Sequence, residues 1–361
     1  MLAVRNVTSC LGSCALLSIV SPSLTSAQQS APLFESLDPL AITVRAPLNR
    51  LFKDRGSESE ERPGTVEYVG SEGDTVSLDV KIKTRGNSRL RRTICGFPPL
   101  RLNFQKKQTK GTVFDGQDRL KLVTHCQDSK KEYEQYLLKE YLIYRAFNLF
   151  SDLSFRVRLL RVTYVDSEKK KDPLTKYGFL IERDAMMAAR NGVDAVKVRV
   201  LSPDYVDPEY LSLVEVFEYM IGNPDWSAFA PEKGKDECCH NTDPVGSMQG
   251  PVFPVPYDFD ITGVVEPRYY GKLYGYSAGS RRGKVTDRVY YGLCRSQVYL
   301  NEVLQRFRDK RDDIYALFRE QEGLETKVAE RVVSYLDDFY KVVNDPKKLK
   351  REITDNCRGG R

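Results

Sequence analysis

Apolar and polar residues alternate at Leu78, Asp79, Val80, Lys81, Ile82 and Lys83, a period of two that predicts a strand with one buried face over 78–83. Similar short runs predict strands over 65–69, 100–104 and 120–123. Gly70, Gly73, the turn Arg85-Gly86-Asn87-Ser88, and Gly96 before Pro98-Pro99 separate them. The period then lengthens. Leu137, Leu138, Tyr141, Leu142, Tyr144 and Leu149 form one wide apolar stripe, which predicts an amphipathic helix over 130–150. Two further strands follow, over 155–165 and 177–181, joined by a charged turn that must face solvent, with 182–192 as a crossing segment.

The second half reads as mostly helical. Asp207-Pro208-Glu209 is a helix start with a capping carboxylate, proline in the first turn and an acid near the positive end. Leu211, Val214, Phe217 and Ile221 continue that helix until Gly222 stops it. One later stripe carries Val303, Leu304, Phe307, Ile314 and Phe318, and another carries Val328, Val332, Leu336, Phe339 and Val343. Strands followed by helices predict an α+β protein of two lobes with a cleft between them. The expected divisions are 1–27, 28–182, 183–345 and a basic tail over 346–361, read as solvated.

The first of those segments reads as a cleavable secretory signal. Arg5 supplies positive charge, 10–20 is apolar, and Thr25-Ser26-Ala27 precedes an expected cut before Gln28. The expected location is therefore secreted or periplasmic. No later segment is apolar enough to cross a membrane. The 361 residues carry a net charge of +6, one of which leaves with Arg5, and the excess is spread along the chain. That distribution does not suggest a nucleic-acid partner. Cys95, Cys126, Cys238, Cys239, Cys294 and Cys357 remain after the leader, an even number that favours disulfides in an exported chain without fixing their pairing. Cys238-Cys239-His240 lacks the spacing of a zinc site.

The chemistry concentrates between Gly222 and Gly263. Gly222-Asn223-Pro224-Asp225 follows the capped helix directly, Asn241 follows a polar loop, and Tyr257-Asp258-Phe259-Asp260 turns out of a strand-like run. An Asp on a loop, an Asn downstream and an Asp at a strand end are parts a phosphotransferase needs. The acceptor hydroxyl requires a positioning carboxylate, and the nucleotide phosphates require oxygen-bound Mg²⁺.

Over 81–263 the ordered motifs resemble the CotH-type secreted kinases, related to spore-coat protein H. These are Arg85-Gly86-Asn87-Ser88, Leu100-Arg101-Leu102-Asn103-Phe104, Leu120-Lys121-Leu122-Val123, Tyr177-Gly178-Phe179-Leu180-Ile181-Glu182, Gly222-Asn223-Pro224-Asp225 and Tyr257-Asp258-Phe259-Asp260. The resemblance implies an atypical protein-kinase-like fold, with a strand-rich N-terminal lobe and a helical C-terminal lobe. It implies ATP and Mg²⁺ or Mn²⁺ as cofactors and a protein as acceptor. Asp225 would orient or deprotonate the acceptor hydroxyl. Asp258 would bind the metal with Asn241 as second ligand, and Asp260 could exchange roles with Asp258. Arg85, Arg101 or Lys121 would contact phosphates, Glu140 would pair with one of them, and Glu182 would lie beside the adenine. The alternative is a catalytically silent kinase-like envelope or surface protein that binds a partner. A calcium module on Asp258 and Asp260 has too few nearby oxygen ligands.

Overall fold

The computed structural model describes residue 1 and residues 31–56, 58–274 and 284–359; apart from Met1, the expected leader and its cut fall outside the described residues. Seven strands close into a barrel in the order β1-β2-β3-β4-β5-β7-β6. They are β1 (Leu40–Ala46), β2 (Arg62–Val69), β3 (Thr75–Thr84), β4 (Leu100–Phe104), β5 (Arg119–Val123), β6 (Val157–Asp166) and β7 (Leu174–Ile181). Their alternation does what period two requires. Leu78, Val80 and Ile82 point inward with Leu100, Leu102, Leu120, Leu122, Leu160, Val162 and Leu180, and the interior is filled by side chains. Two short helices, α1 (Leu48–Lys53) and α2 (Lys106–Thr109), lie between barrel strands in the chain.

This corrects the expected two-lobed kinase-like fold. The strands do not form an open strand-rich lobe, because β1 pairs in parallel with β6, from Leu40↔Leu160 to Ala46↔Asp166, and closes the wall. Nor is the second half a separate helical lobe. A single apolar cluster joins Val157 and Leu159 of β6 and Phe179 of β7 to α3 (Lys131–Asn148) and onward to the C-terminal helices. Helix α4 (Asp184–Arg190) leads from the barrel to a second, three-stranded sheet of β8 (Asp194–Ala195), β9 (Thr242–Gly246) and β10 (Val252–Pro256).

Helix α5 (Pro208–Ile221) starts as its sequence predicts, with the Asp207 carboxylate accepting the Tyr210 N–H at 2.8 Å. It ends at Gly222, whose φ of +65° is the left-handed cap that glycine adopts without strain. After the short α6 (Tyr270–Tyr274) come α7 (Leu300–Asp309) and α8 (Arg311–Arg319), which divide one predicted stripe, and α9 (Thr326–Val343). The expected solvated tail is instead ordered over its described part. It forms α10 (Pro346–Leu349) and one further turn, buries Ile353, and is bonded to the body through Cys294–Cys357. The other disulfides are Cys95–Cys126 and the neighbours Cys238–Cys239. Among the described residues no helix is long and apolar enough to cross a membrane.

Candidate active site

Asp225 stands three residues past the Gly222 cap, on a loop whose direction that cap sets. Its backbone N–H donates to Asn223 Oδ1 at 2.9 Å. Asn241 then clamps it: Nδ2 donates to the Asp225 carbonyl at 2.5 Å and to Oδ2 at 3.2 Å, while His240 Nε2 lies 3.5 Å from Oδ1. The carboxylate is oriented on three sides yet still reaches solvent.

Asp258 lies where β10 runs out. Its N–H donates to the Tyr144 hydroxyl of α3 at 2.8 Å, and Oδ1 accepts from Arg89 Nη2 at 3.3 Å. Its side chain keeps 40% exposure. Asn241 and Asp258 both have left-handed backbones (φ +53° and +60°), and they are two of the five non-glycine residues so placed among the described residues. Backbone held in that region costs about 1–3 kcal/mol and collects at functional sites, where the surroundings fix it.

Beneath Asp258 lies Arg89, a buried guanidinium that the motif reading missed although it stands one turn after Arg85. It meets Asp260 at 3.2 Å, Glu140 of α3 at 3.3 Å and Asp258 at 3.3 Å. Tyr269 donates to Asp260 at 3.1 Å. Burial pushes the Glu140 and Asp260 carboxyls up, and Arg89 pulls both back. Asp260 is therefore committed to this buried network and does not exchange with Asp258 as an exposed ligand. Glu140 does pair with an arginine, but with Arg89 and not with Arg85, Arg101 or Lys121.

Two other cations lack such partners. Arg85 and Lys121 donate no side-chain hydrogen bond and form no ion pair among the described residues; Lys121 Nζ lies 5.0 Å from the centre of the Tyr257 ring. Burial lowers both; Arg85 lowers Lys121 further, and Arg89 and Arg101 lower Arg85, while Arg85 and Lys121 line the same recess. Asp258 acts on both cations from across that space. Asp243 also faces Lys121, and burial raises its carboxyl to about 6. Arg101 is the register partner of Lys121 across β4–β5.

These groups stand at the junction of two cavities. One, of about 440 Å³, is lined by Arg101, Arg119, Lys121, Glu182 and Asp184. The other, of about 610 Å³, is lined by Lys197, His240, Asn241, Asp243 and Tyr257. Asp184 borders both, and Lys121 and Tyr257 continue them into the recess holding Arg85, Arg89 and Asp258. Glu182 reaches the first cavity as a wall. Its carboxylate is closed off by Arg190 at 2.9 and 3.1 Å and by the Arg156 N–H at 3.1 Å, so Glu182 itself has no free oxygen to offer a ligand.

Among the described residues no three His, Cys, Asp or Glu side chains gather as a metal site. Asn241 turns its amino group to Asp225, and Asp260 is taken. Asp258, however, has an Oδ2 without a hydrogen-bond or ion-pair partner among the described residues, and Mg²⁺ characteristically takes one or two carboxylates and completes its shell with water and substrate phosphate. The site fits a cation of that kind at Asp258 and does not fit a protein-made cage.

No family model matches the chain, and no curated protein matches it.

Proposed function

We propose that the chain is a phosphotransferase of the CotH-like kind, moving a phosphoryl group from a nucleotide to the hydroxyl of a protein acceptor. The observation that carries the reading is the pair Arg85 and Lys121. They are half-buried cations with no side-chain hydrogen bond or ion pair among the described residues, Lys121 lying against the Tyr257 ring, and they converge with a partly free carboxylate, Asp258, where two cavities join. Cations desolvated in this way are costly unless an anion completes them, and a polyphosphate is the anion that also calls for Asp258. Bound through Asp258, Mg²⁺ would neutralise phosphate charge and hold the phosphates in line.

The rest falls to the chain itself. Arg85 and Lys121 bind and orient the phosphates; Arg101 extends the basic wall of the adjoining cavity. Asp225, held by Asn241 and His240, receives the acceptor hydroxyl and its proton. Arg89, Glu140 and Tyr144 fix the position of Asp258 from below. Phosphoryl transfer depends mostly on such positioning and on fixed charge. The three disulfides favour an oxidising compartment for this activity, in keeping with an exported chain.

Calorimetry with ATP, with and without Mg²⁺, tests the nucleotide half of the reading. Lys121→Met is expected to weaken binding by about 10- to 100-fold, the worth of one charge-assisted contact. Equal affinity in wild type, Lys121→Met and Arg85→Met would remove the phosphate role from this pair. Absence of binding in the wild type would leave the fold as a scaffold for a partner.

A further inference from the structure

A second large cavity, of about 800 Å³, shares no lining residue with the groove around Asp225 and Lys121. It lies between α3, the turn at 263–268 and α9. Lys139, from the middle of α3, lines it. The residue is 6% exposed; its Nζ donates to the Val265 carbonyl and lies 5.4 Å from the centre of the Tyr136 ring. Among the described residues no carboxylate comes within ion-pair distance of that nitrogen, and none of the chemistry proposed above uses it.

An amine so placed has lost its water without gaining a counter-ion. Burial, opposed by Glu266 and aided by Arg331 of α9, lowers it to about 7. Near neutral pH much of it carries a free lone pair, and a neutral amine facing a cavity is a nucleophile for carbonyl carbon. Arg331 and Lys131 line the same cavity and have no ion-pair partner among the described residues, whereas Arg268 is already paired with Glu132 at 3.2 Å.

We propose that this cavity is a second ligand site, in which Lys139 forms an imine with a small carbonyl compound whose carboxylate is received by Arg331 and Lys131. The Nζ lone pair forms the C–N bond as the carbonyl π pair moves to oxygen. The two amine protons leave with that oxygen as one water, and a C=N bond remains. Glu266, the carboxylate that acts on Lys139 from the adjoining turn, is placed to carry protons between the two. No oxidant or reductant enters. The site does not depend on the phosphotransferase reading.

The test uses the full chain with glyoxylate and cyanoborohydride at pH 7, the reductant serving only to trap the imine, followed by peptide mapping in a mass spectrometer. Lys139 is expected to be labelled at least about tenfold faster than the exposed lysines, whose ordinary amines are almost wholly protonated there. Arg331→Gln should slow labelling by glyoxylate but not by acetaldehyde, which has no carboxylate. Lys139→Gln should abolish the fast adduct. Labelling of Lys139 at or below the rate of exposed lysines in the unaltered chain would overturn the proposal, whether or not the variants fold. Equal loss with both aldehydes in Arg331→Gln would overturn the carboxylate assignment.

Discussion

Arg89 is one guanidinium divided among Glu140, Asp258 and Asp260, and everything above it rests on that division. Arg89→Met would leave buried carboxylates without their cation, which is expected to cost about 3–5 kcal/mol in chemical denaturation. A second buried acid titrates without a charged partner. Glu218 of α5 is fully enclosed, and burial, opposed only by Asn223, raises it to about 8. Since the folded value exceeds the unfolded one, its protonated form supports the fold fully below about pH 4. That support is lost as pH rises toward 8. Glu218→Gln should therefore flatten the decline in stability between pH 5 and 8, by a few kcal/mol at the alkaline end; an unchanged slope would mean that Glu218 is ionised in the fold. At this scale the sequence order places Asn241 within reach of Asp225, and the Tyr257 N–H, next to Asp258, donates to the Asn241 carbonyl. The sequence was silent where a partner was remote. Nothing near Asp260 reveals that Arg89 claims it.

Helices α3 and α5 act as struts, presenting Glu140 and Tyr144 on one side of the site and the Asn223–Asp225 loop on the other. The end of α5 is set by Gly222, and a Cβ there would stand 2.1 Å from Tyr335 Oη of α9. Gly222→Ala should cost about 1–3 kcal/mol from the left-handed backbone alone, with the ring contact added. Gly222→Ala with Tyr335→Phe should recover only the contact, so thermal melts of the single and double variants separate the two effects. Strands with clean alternation, such as β3, were legible, as was the Asp207 cap. Strand β1 escaped although Ile42, Val44 and Ala46 alternate with Thr43 and Arg45. Strand β9 was obscured by Pro244, which reads against a ladder, whereas the run ending at Pro256 was legible as a strand despite Pro254 and Pro256. The break between α7 and α8 falls inside one continuous apolar stripe, so periodicity could not place it.

The whole molecule departs most from what local pattern predicts. Closure depends on β1 meeting β6 far along the chain, and no window of sequence contains both. The tail is likewise held by a distant tie, Cys294–Cys357, which stand 63 positions apart in sequence. Replacing both cysteines by serine should lower stability by about 2–4 kcal/mol in denaturant titrations, as expected for opening a loop of that length. Barrel, second sheet and helices together place two cavities against one row of charge, and the central claim is that this row transfers phosphate. Transfer from ATP to the chain itself or to a general protein acceptor, followed for wild type and Asp225→Asn at saturating Mg-ATP, tests it most directly. Turnover by the wild type is expected, with a loss of about 10²- to 10⁴-fold in Asp225→Asn and nucleotide affinity unchanged. Transfer that survives Asp225→Asn undiminished, or a wild type that binds nucleotide and transfers nothing, would contradict it.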